Sequence, residues 1–193
     1  ALKHNQISYE LNEGGGAFYG PKIDFEVTDS ISRDWQCGTI QLDFMMPERF
    51  GLEYVGQDGK MHRPVMVHRA VFGSVERFYG ILVEHYGGAF PLWLAPVQIV
   101  LATISEKQAE GAAEIHSKFV SAGIRSQINV RSEKINYKIR ESELKKIPYT
   151  GVIGAKELES NSVALRLRGG KDLGPLPIDS VISKLTEEIK NKT

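Results

Sequence analysis

An α/β chain in two parts is predicted, the first built on an antiparallel sheet and the second a layered α/β domain with a mixed, largely parallel sheet. Three observations predict it. Short segments of the first half alternate apolar and polar side chains residue by residue, whereas the second half alternates strand-like runs with helix-like periods. The proline-bounded stretch Pro91-Leu-Trp-Leu-Ala-Pro96 stands near the middle and separates segments of opposite charge. With 193 residues, the chain exceeds the usual domain of roughly 100 to 150 residues. We assign residues 1–94 to the first part and 95–193 to the second.

In the first part, Ile23, Phe25 and Val27 alternate with Lys22, Asp24 and Glu26, and Ile40, Leu42 and Phe44 alternate with Thr39, Gln41 and Asp43. Both read as half-buried strands joined by the turn-forming Thr28-Asp29-Ser30 and Ser32-Arg33-Asp34. Val65-Met66-Val67 is a third extended segment. It leads into a helix carrying Val71, Val75, Phe78, Leu82 and Tyr86 at helical spacing, which Gly87-Gly88 ends. In the second part we expect a strand at Val97 to Ile104, a helix at about Glu106 to Ala122 stopped by Gly123, and a strand at Ser126 to Val130. A helix at Ile135 to Lys146, strands at Tyr149 to Ile153 and Ser162 to Arg168, a turn at Gly169-Gly170 and a helix at Asp179 to Asn191 complete it.

Composition narrows the function classes. The chain is 41% hydrophobic and 25% charged, and no apolar run approaches the roughly 20 residues of a membrane span. The start, Ala-Leu-Lys-His, carries no signal-peptide pattern, and Cys37, the only cysteine, excludes an internal disulfide; a cytoplasmic setting is expected. The zero net charge hides an asymmetry. Residues 1–96 hold eight Lys and Arg against twelve Asp and Glu, a net of −4, and residues 97–193 hold sixteen against twelve, a net of +4. A modestly basic second part suits a phosphate-rich partner, and suits solvated surface lysines equally well.

Several segments could carry chemistry. Gly14-Gly15-Gly16 opens backbone amides beside Tyr19 and Lys22, in a pattern that fits a flexible turn or a ligand loop but neither the phosphate-loop nor the dinucleotide fingerprint. Thr39, Gln41 and Asp43 share one strand face beside Gly38, either a hydrated surface or a face that grips a small polar ligand. Ser74 is a plausible N-cap, which puts Arg77 in the first helical turn, where the dipole disfavours a cation unless an anion sits there. His68 ends a strand. His62, His85 and His116 have no matching metal spacing, so the sequence holds no complete zinc site by itself.

Taken in order, four segments resemble the threonyl-tRNA synthetase family: Gly16-Ala-Phe-Tyr-Gly-Pro-Lys-Ile23, Trp35-Gln-Cys-Gly-Thr-Ile-Gln-Leu-Asp-Phe44, His68-Arg-Ala-Val-Phe-Gly-Ser-Val-Glu-Arg-Phe78 and Pro91-Leu-Trp-Leu-Ala-Pro-Val-Gln98. The likeness runs from about Asn5 to Lys190. It implies the later part of an antiparallel class II catalytic domain over 1–94 and an anticodon-binding domain over 95–193. The implied reaction activates threonine with ATP and passes it to the 3′ end of threonine tRNA, with Mg2+ and Zn2+ as cofactors and a homodimeric parent.

The resemblance also implies roles. Arg77, Lys22 and Gln41 are the expected catalytic residues, with Arg77 and Gln36 toward ATP and Tyr19, Lys22, Thr39, Gln41 and Ser74 toward threonine and its adenylate. His68 is implied as one of three protein ligands of zinc, which would hold the amino and hydroxyl groups that valine cannot offer together. Glu157, Arg166, Ser132, Lys145 and Lys146 match anticodon-domain positions, although Ser132 stands where the family commonly has asparagine. The other two zinc ligands, a cysteine and a histidine, and the first two class II motifs are expected upstream of Ala1, so this polypeptide alone is expected to be inactive. The rival expectation is a non-catalytic RNA-binding or regulatory protein derived from a synthetase.

Overall fold

The computed structural model describes residues 2–193, so the expected start of the first part at Ala1 lies outside the described residues. The chain forms two compact units, Ala1–His85 and Tyr86–Thr193.

In the first unit, β1 (Lys22–Thr28), β2 (Asp34–Asp43) and a later strand, Met66–Ala70, make a three-stranded antiparallel sheet with β2 in the middle. The β1–β2 hairpin closes around Asp29, whose Oδ1 accepts the N–H groups of Ile31 and Arg33 at 3.0 and 2.9 Å and whose Oδ2 accepts from Trp35 Nε1 at 3.0 Å. That side chain replaces the backbone bonds the turn forgoes. A bulge lies between Phe25 and Glu26. β2 starts five residues earlier than its apolar alternation suggests, because Asp34 and Trp35 pair with Thr28 and Val27 on either side of the turn.

Between β2 and the third sheet strand come α1 (Met45–Arg49) and a two-stranded hairpin, β3 (Tyr54–Val55) with β4 (Met61–His62). Neither was legible, since each is too short to develop a period. β5 is the Met66–Ala70 strand, and α2 (Val75–Tyr86) follows. The helix starts after Ser74, not at Val71, because Gly73 has φ +65° and breaks the approach. Within residues 2–85, only Cys37, Gly38, Asp43 and Pro47 are fully buried.

The second unit carries the large core. β6 (Ile99–Thr103) is buried at every position and lies between β7 (Ser126–Asn129) and β8 (Tyr149–Ile153), both parallel to it. β9 (Ser162–Leu167) and β10 (Asp172–Pro177) add antiparallel strands, giving the order β10-β9-β8-β6-β7. Helices α3 (Ala109–Ser121), α4 (Ile135–Leu144), α5 (Ala155–Glu159) and α6 (Ile178–Asn191) complete the unit.

Ile99 and Leu101 of β6 pack with Ala112, Ile115 and Phe119 of α3 and with Ile178, Val181 and Leu185 of α6. The spacing of i, i+3 and i+7 on each helix is one stripe facing one sheet face. Each large apolar side chain buried there contributes roughly 1.5–3 kcal/mol. The Pro91–Pro96 stretch is not a loose connector. Leu92 and Ala95 are buried, and Arg125 donates to the carbonyls of Ala95 at 3.0 Å and Trp93 at 2.8 Å.

Candidate active site and nucleic-acid interface

Strand pairing puts the expected binding residues of the first unit in rows. Lys22, Gln41 and His68 are direct partners across β1, β2 and β5, and the next row on that face is Asp24, Thr39 and Ala70. Residues opposed across antiparallel strands point to the same side, so Lys22, Gln41, Thr39 and His68 share one face. Tyr19 joins them. Its hydroxyl donates to Gln41 Oε1 at 2.6 Å, and its ring meets the His68 imidazole edge-on with centroids 5.9 Å apart.

Gly20, just after Tyr19, lies so close to β2 that a Cβ there would sit 2.2 Å from the Leu42 carbonyl oxygen. The glycine-rich approach therefore lets Tyr19 reach over the strand. Thr39 Oγ1 is buried beside the Asp24 carboxylate, whose ionised form it helps to stabilise.

Acidic partners orient the row. Lys22 Nζ lies 2.7 Å from Asp24 Oδ2, and Gln36 Nε2 donates to Asp24 Oδ1 at 2.8 Å. Partial burial pushes the Asp24 carboxyl up, but the bonds from Lys22, Thr39 and Gln36 outweigh it and hold it below the usual range. Asp43 is buried, with 2% exposure, and its Oδ1 accepts the Met45 and Met46 N–H groups at 2.9 Å while Oδ2 lies 2.9 Å from His68 Nε2. The Met46 N–H foremost, then His68 and the Met45 N–H, hold its pKa low against the opposing effect of burial. The Thr39-Gln41-Asp43 alternation placed Asp43 on this face, but its burial and its role as a partner to His68 carried no sequence signal.

Ser74 caps α2, its Oγ accepting the Arg77 N–H at 3.2 Å. Arg77 is exposed in the first turn, and its guanidinium makes no hydrogen bond or ion pair among the described residues. Neither Ser74 nor Arg77 bonds to the Lys22–Gln41–His68 row, so the structure gathers five of the expected pocket residues and sets these two at a helix start. No group of three His, Cys, Asp or Glu side chains able to hold a metal occurs among the described residues.

In the second unit, Ser132 follows the C-terminal end of β7 and Glu157 follows that of β8, the same edge of the parallel strands. Glu157 Oε2 accepts the Gly154 N–H at 2.9 Å and so caps its own helix. Arg166 lies on β9 opposite Thr150, and pairs with Asp172 of β10. Lys145 and Lys146 precede β8 and stand at the other end of that strand. Lys145 lies 3.1 Å from Glu141, and Lys146 Nζ donates to the Gly87 carbonyl. Lys145 also lines a cleft of about 280 Å³, where Gln127, Asn129, Arg131 and Glu141 stand beside Val100, Ile128, Val130 and Ile147. The five expected anticodon residues thus span the sheet rather than form one cluster.

Comparison with known proteins agrees with both halves. Residues 2–86 match the tRNA synthetase class II core domain (G, H, P, S and T), and residues 98–188 match the anticodon binding domain. The threonine–tRNA ligase of Acetivibrio thermocellus is 57% identical over 192 residues, and that of Desulforamulus reducens is 56% identical over 193. The chain belongs to the threonyl-tRNA synthetase family. It is covered in full by these synthetases but spans 30% of their length. Among solved structures, the RNA binding domain of threonyl-tRNA synthetase from Cryptosporidium parvum is 41% identical, with a TM-score of 0.83 over 96% of this chain and 47% of that one. A putative threonyl-tRNA synthetase from Aeropyrum pernix is 28% identical with a TM-score of 0.69, covering 98% of this chain and 46% of the other. No helix among the described residues is long and apolar enough to cross a membrane.

Proposed function

We propose that this chain supplies the second part of the catalytic domain (1–94) and the anticodon-binding domain (95–193) of a cytoplasmic, homodimeric enzyme that activates threonine with ATP and transfers it to threonine tRNA. The observation that carries the catalytic reading is the Lys22–Gln41–His68 row with Tyr19 bonded to Gln41. This row offers a cation, an amide, a phenol and an imidazole on one sheet face, together with the buried Thr39 hydroxyl. Such a set suits a zwitterionic amino acid and its adenylate. Lys22 would meet negative charge on the substrate, and Gln41, oriented by Tyr19, would fix the acyl group by hydrogen bonds.

Arg77 at the start of α2, with Ser74 as its cap, is suited to the ATP phosphates, since helix dipole and guanidinium both favour an anion there. Its charge would stabilise the pyrophosphate as it leaves. Gln36 would lie toward the nucleotide. Zinc, held by His68 and by ligands outside this chain, would when bound recognise the threonine amino and hydroxyl groups; Asp43 would fix the His68 ring for that task. Mg2+ would accompany ATP.

Glu157, Arg166, Ser132, Lys145 and Lys146 form the tRNA-facing set, supported by the net +4 of residues 97–193. The test is Arg166→Ala in the full-length synthetase. Aminoacylation of threonine tRNA should fall by about tenfold or more, mostly through KM for tRNA, with threonine-dependent pyrophosphate exchange nearly unchanged. Equal loss of both activities would defeat the division of labour between the two parts. Absence of threonine-dependent exchange in the unaltered full-length protein would favour a non-catalytic RNA-binding relative.

A further inference from the structure

We propose that Asp172 is a positioning residue for Arg166: it holds one edge of the guanidinium so that the other edge is presented to an unpaired RNA base. The inference rests on the anticodon-binding reading of Arg166. Arg166 and Asp172 are direct partners across β9 and β10. Asp172 Oδ2 accepts both Arg166 Nε at 3.1 Å and Nη2 at 2.6 Å. Its other oxygen, Oδ1, accepts the Gly174 N–H at 2.9 Å, where the β9–β10 ladder slips by a bulge and Gly174 has φ +73°. The carboxylate is therefore fixed at both oxygens. The Gly174 N–H foremost and Arg166 next hold it ionised, below the usual carboxylate range.

This arrangement has little worth as a staple. The two side chains are 35% and 49% exposed, and ion pairs so open to water contribute little to stability. What it does strongly is set direction. A guanidinium has five N–H groups in one plane; with the Nε/Nη2 edge taken by Asp172, the Nη1/Nη2 edge stays open and is locked in orientation. That edge matches two acceptors side by side, as on guanine O6 and N7. A base splayed from a single-stranded loop exposes such an edge, whereas a phosphate, readable from any direction, would need no such alignment.

The test uses the full 193-residue chain and a fluorescent anticodon stem-loop of a threonine tRNA, with each anticodon base substituted in turn, read by anisotropy. Arg166→Ala should weaken binding by about tenfold and erase discrimination at one anticodon position. Asp172→Asn and Asp172→Ala should each weaken it by about three- to tenfold and blunt discrimination at that same position. The double variant Arg166→Ala/Asp172→Ala should bind no worse than Arg166→Ala, because Asp172 acts only through the guanidinium. Circular dichroism and melting curves should match across the set. Asp172 variants that bind as tightly as the parent, or more tightly, with discrimination intact would overturn the proposal, as would losses that add in the double variant. No effect of Arg166→Ala would instead overturn the anticodon reading of that residue, and the proposal with it.

Discussion

Tyr149 begins β8 at 3% exposure, and its hydroxyl donates to Glu188 Oε2 on α6 at 2.7 Å, joining the sheet to the last helix. Burial first, and then the Glu188 carboxylate, push its pKa above the ordinary phenol value. The folded pKa is therefore higher than the unfolded one. The associated stability is fully present below pH ~10 and is lost as pH rises beyond it. Tyr149→Phe should cost about 1–2 kcal/mol at pH 7, since a hydrogen bond to a charged acceptor is removed while Glu188 can turn to water. Melting temperatures across an alkaline series check both statements; a variant whose alkaline loss of stability matches the parent's would refute the linkage. At this scale much of the site was readable: Lys22, Thr39, Gln41 and His68 were named from their segments and do share a face. The pairing of Asp24 with Lys22, of Asp43 with His68 and of Asp172 with Arg166 was not, because an acidic residue in a strand looks the same whether it faces water or a neighbouring cation. Lys138 escaped entirely. A lysine in an amphipathic helix reads as surface, yet this one is buried, with Nζ 2.8 Å from the Thr103 carbonyl oxygen.

Among the elements, strands and helices with several turns of regular pattern were legible, and those whose residues contradict their conformation were not. β10 is Asp-Leu-Gly-Pro-Leu-Pro, a sequence that argues against a strand; it is tolerated because β10 is the edge of its sheet and its prolines need not donate outward. The Gly169-Gly170 turn misleads by one residue: counting outward from it pairs Arg166 with Leu173, whereas the loop also includes Arg168 and Arg166 pairs with Asp172. The start of α2 gives the sharpest prediction. Gly73 has φ +65°, and a Cβ there would lie 2.4 Å from the Cys37 carbonyl oxygen, a backbone atom that cannot swing away. Gly73→Ala should therefore cost about 2 kcal/mol or more, from left-handed strain and from the clash. It should also displace Ser74 and Arg77, so that ATP binding by the full-length synthetase falls together with the melting temperature. Normal ATP affinity in a folded variant would show that this entry to the helix does not orient Arg77.

Across the whole molecule, the hydrophobic core of β6, β8, β9, α3 and α6 lies in Tyr86–Thr193, whereas α2 in the first unit contains no buried residue. Hydrogen exchange should accordingly be slowest in β6 and β8 and much faster in β1, β2 and β5, because local opening is easiest where few apolar contacts are lost. Equal protection of the two sheets, read by mass spectrometry, would contradict that ordering. The two-part architecture was visible in the sequence because periodicity changes character along the chain. The disparity in burial was not, since Ile31, Phe44, Val67 and Val71 are as apolar as any core residue yet stand 50–68% exposed.

This disparity governs how the chain can diverge. In Tyr86–Thr193, interlocking volumes restrict what may replace Leu101 or Phe119, so substitutions there must come in compensating pairs. In Ala1–His85 few side chains interlock among the described residues, so exchanging Ile31 or Val71 for another apolar residue disturbs little of the packing there.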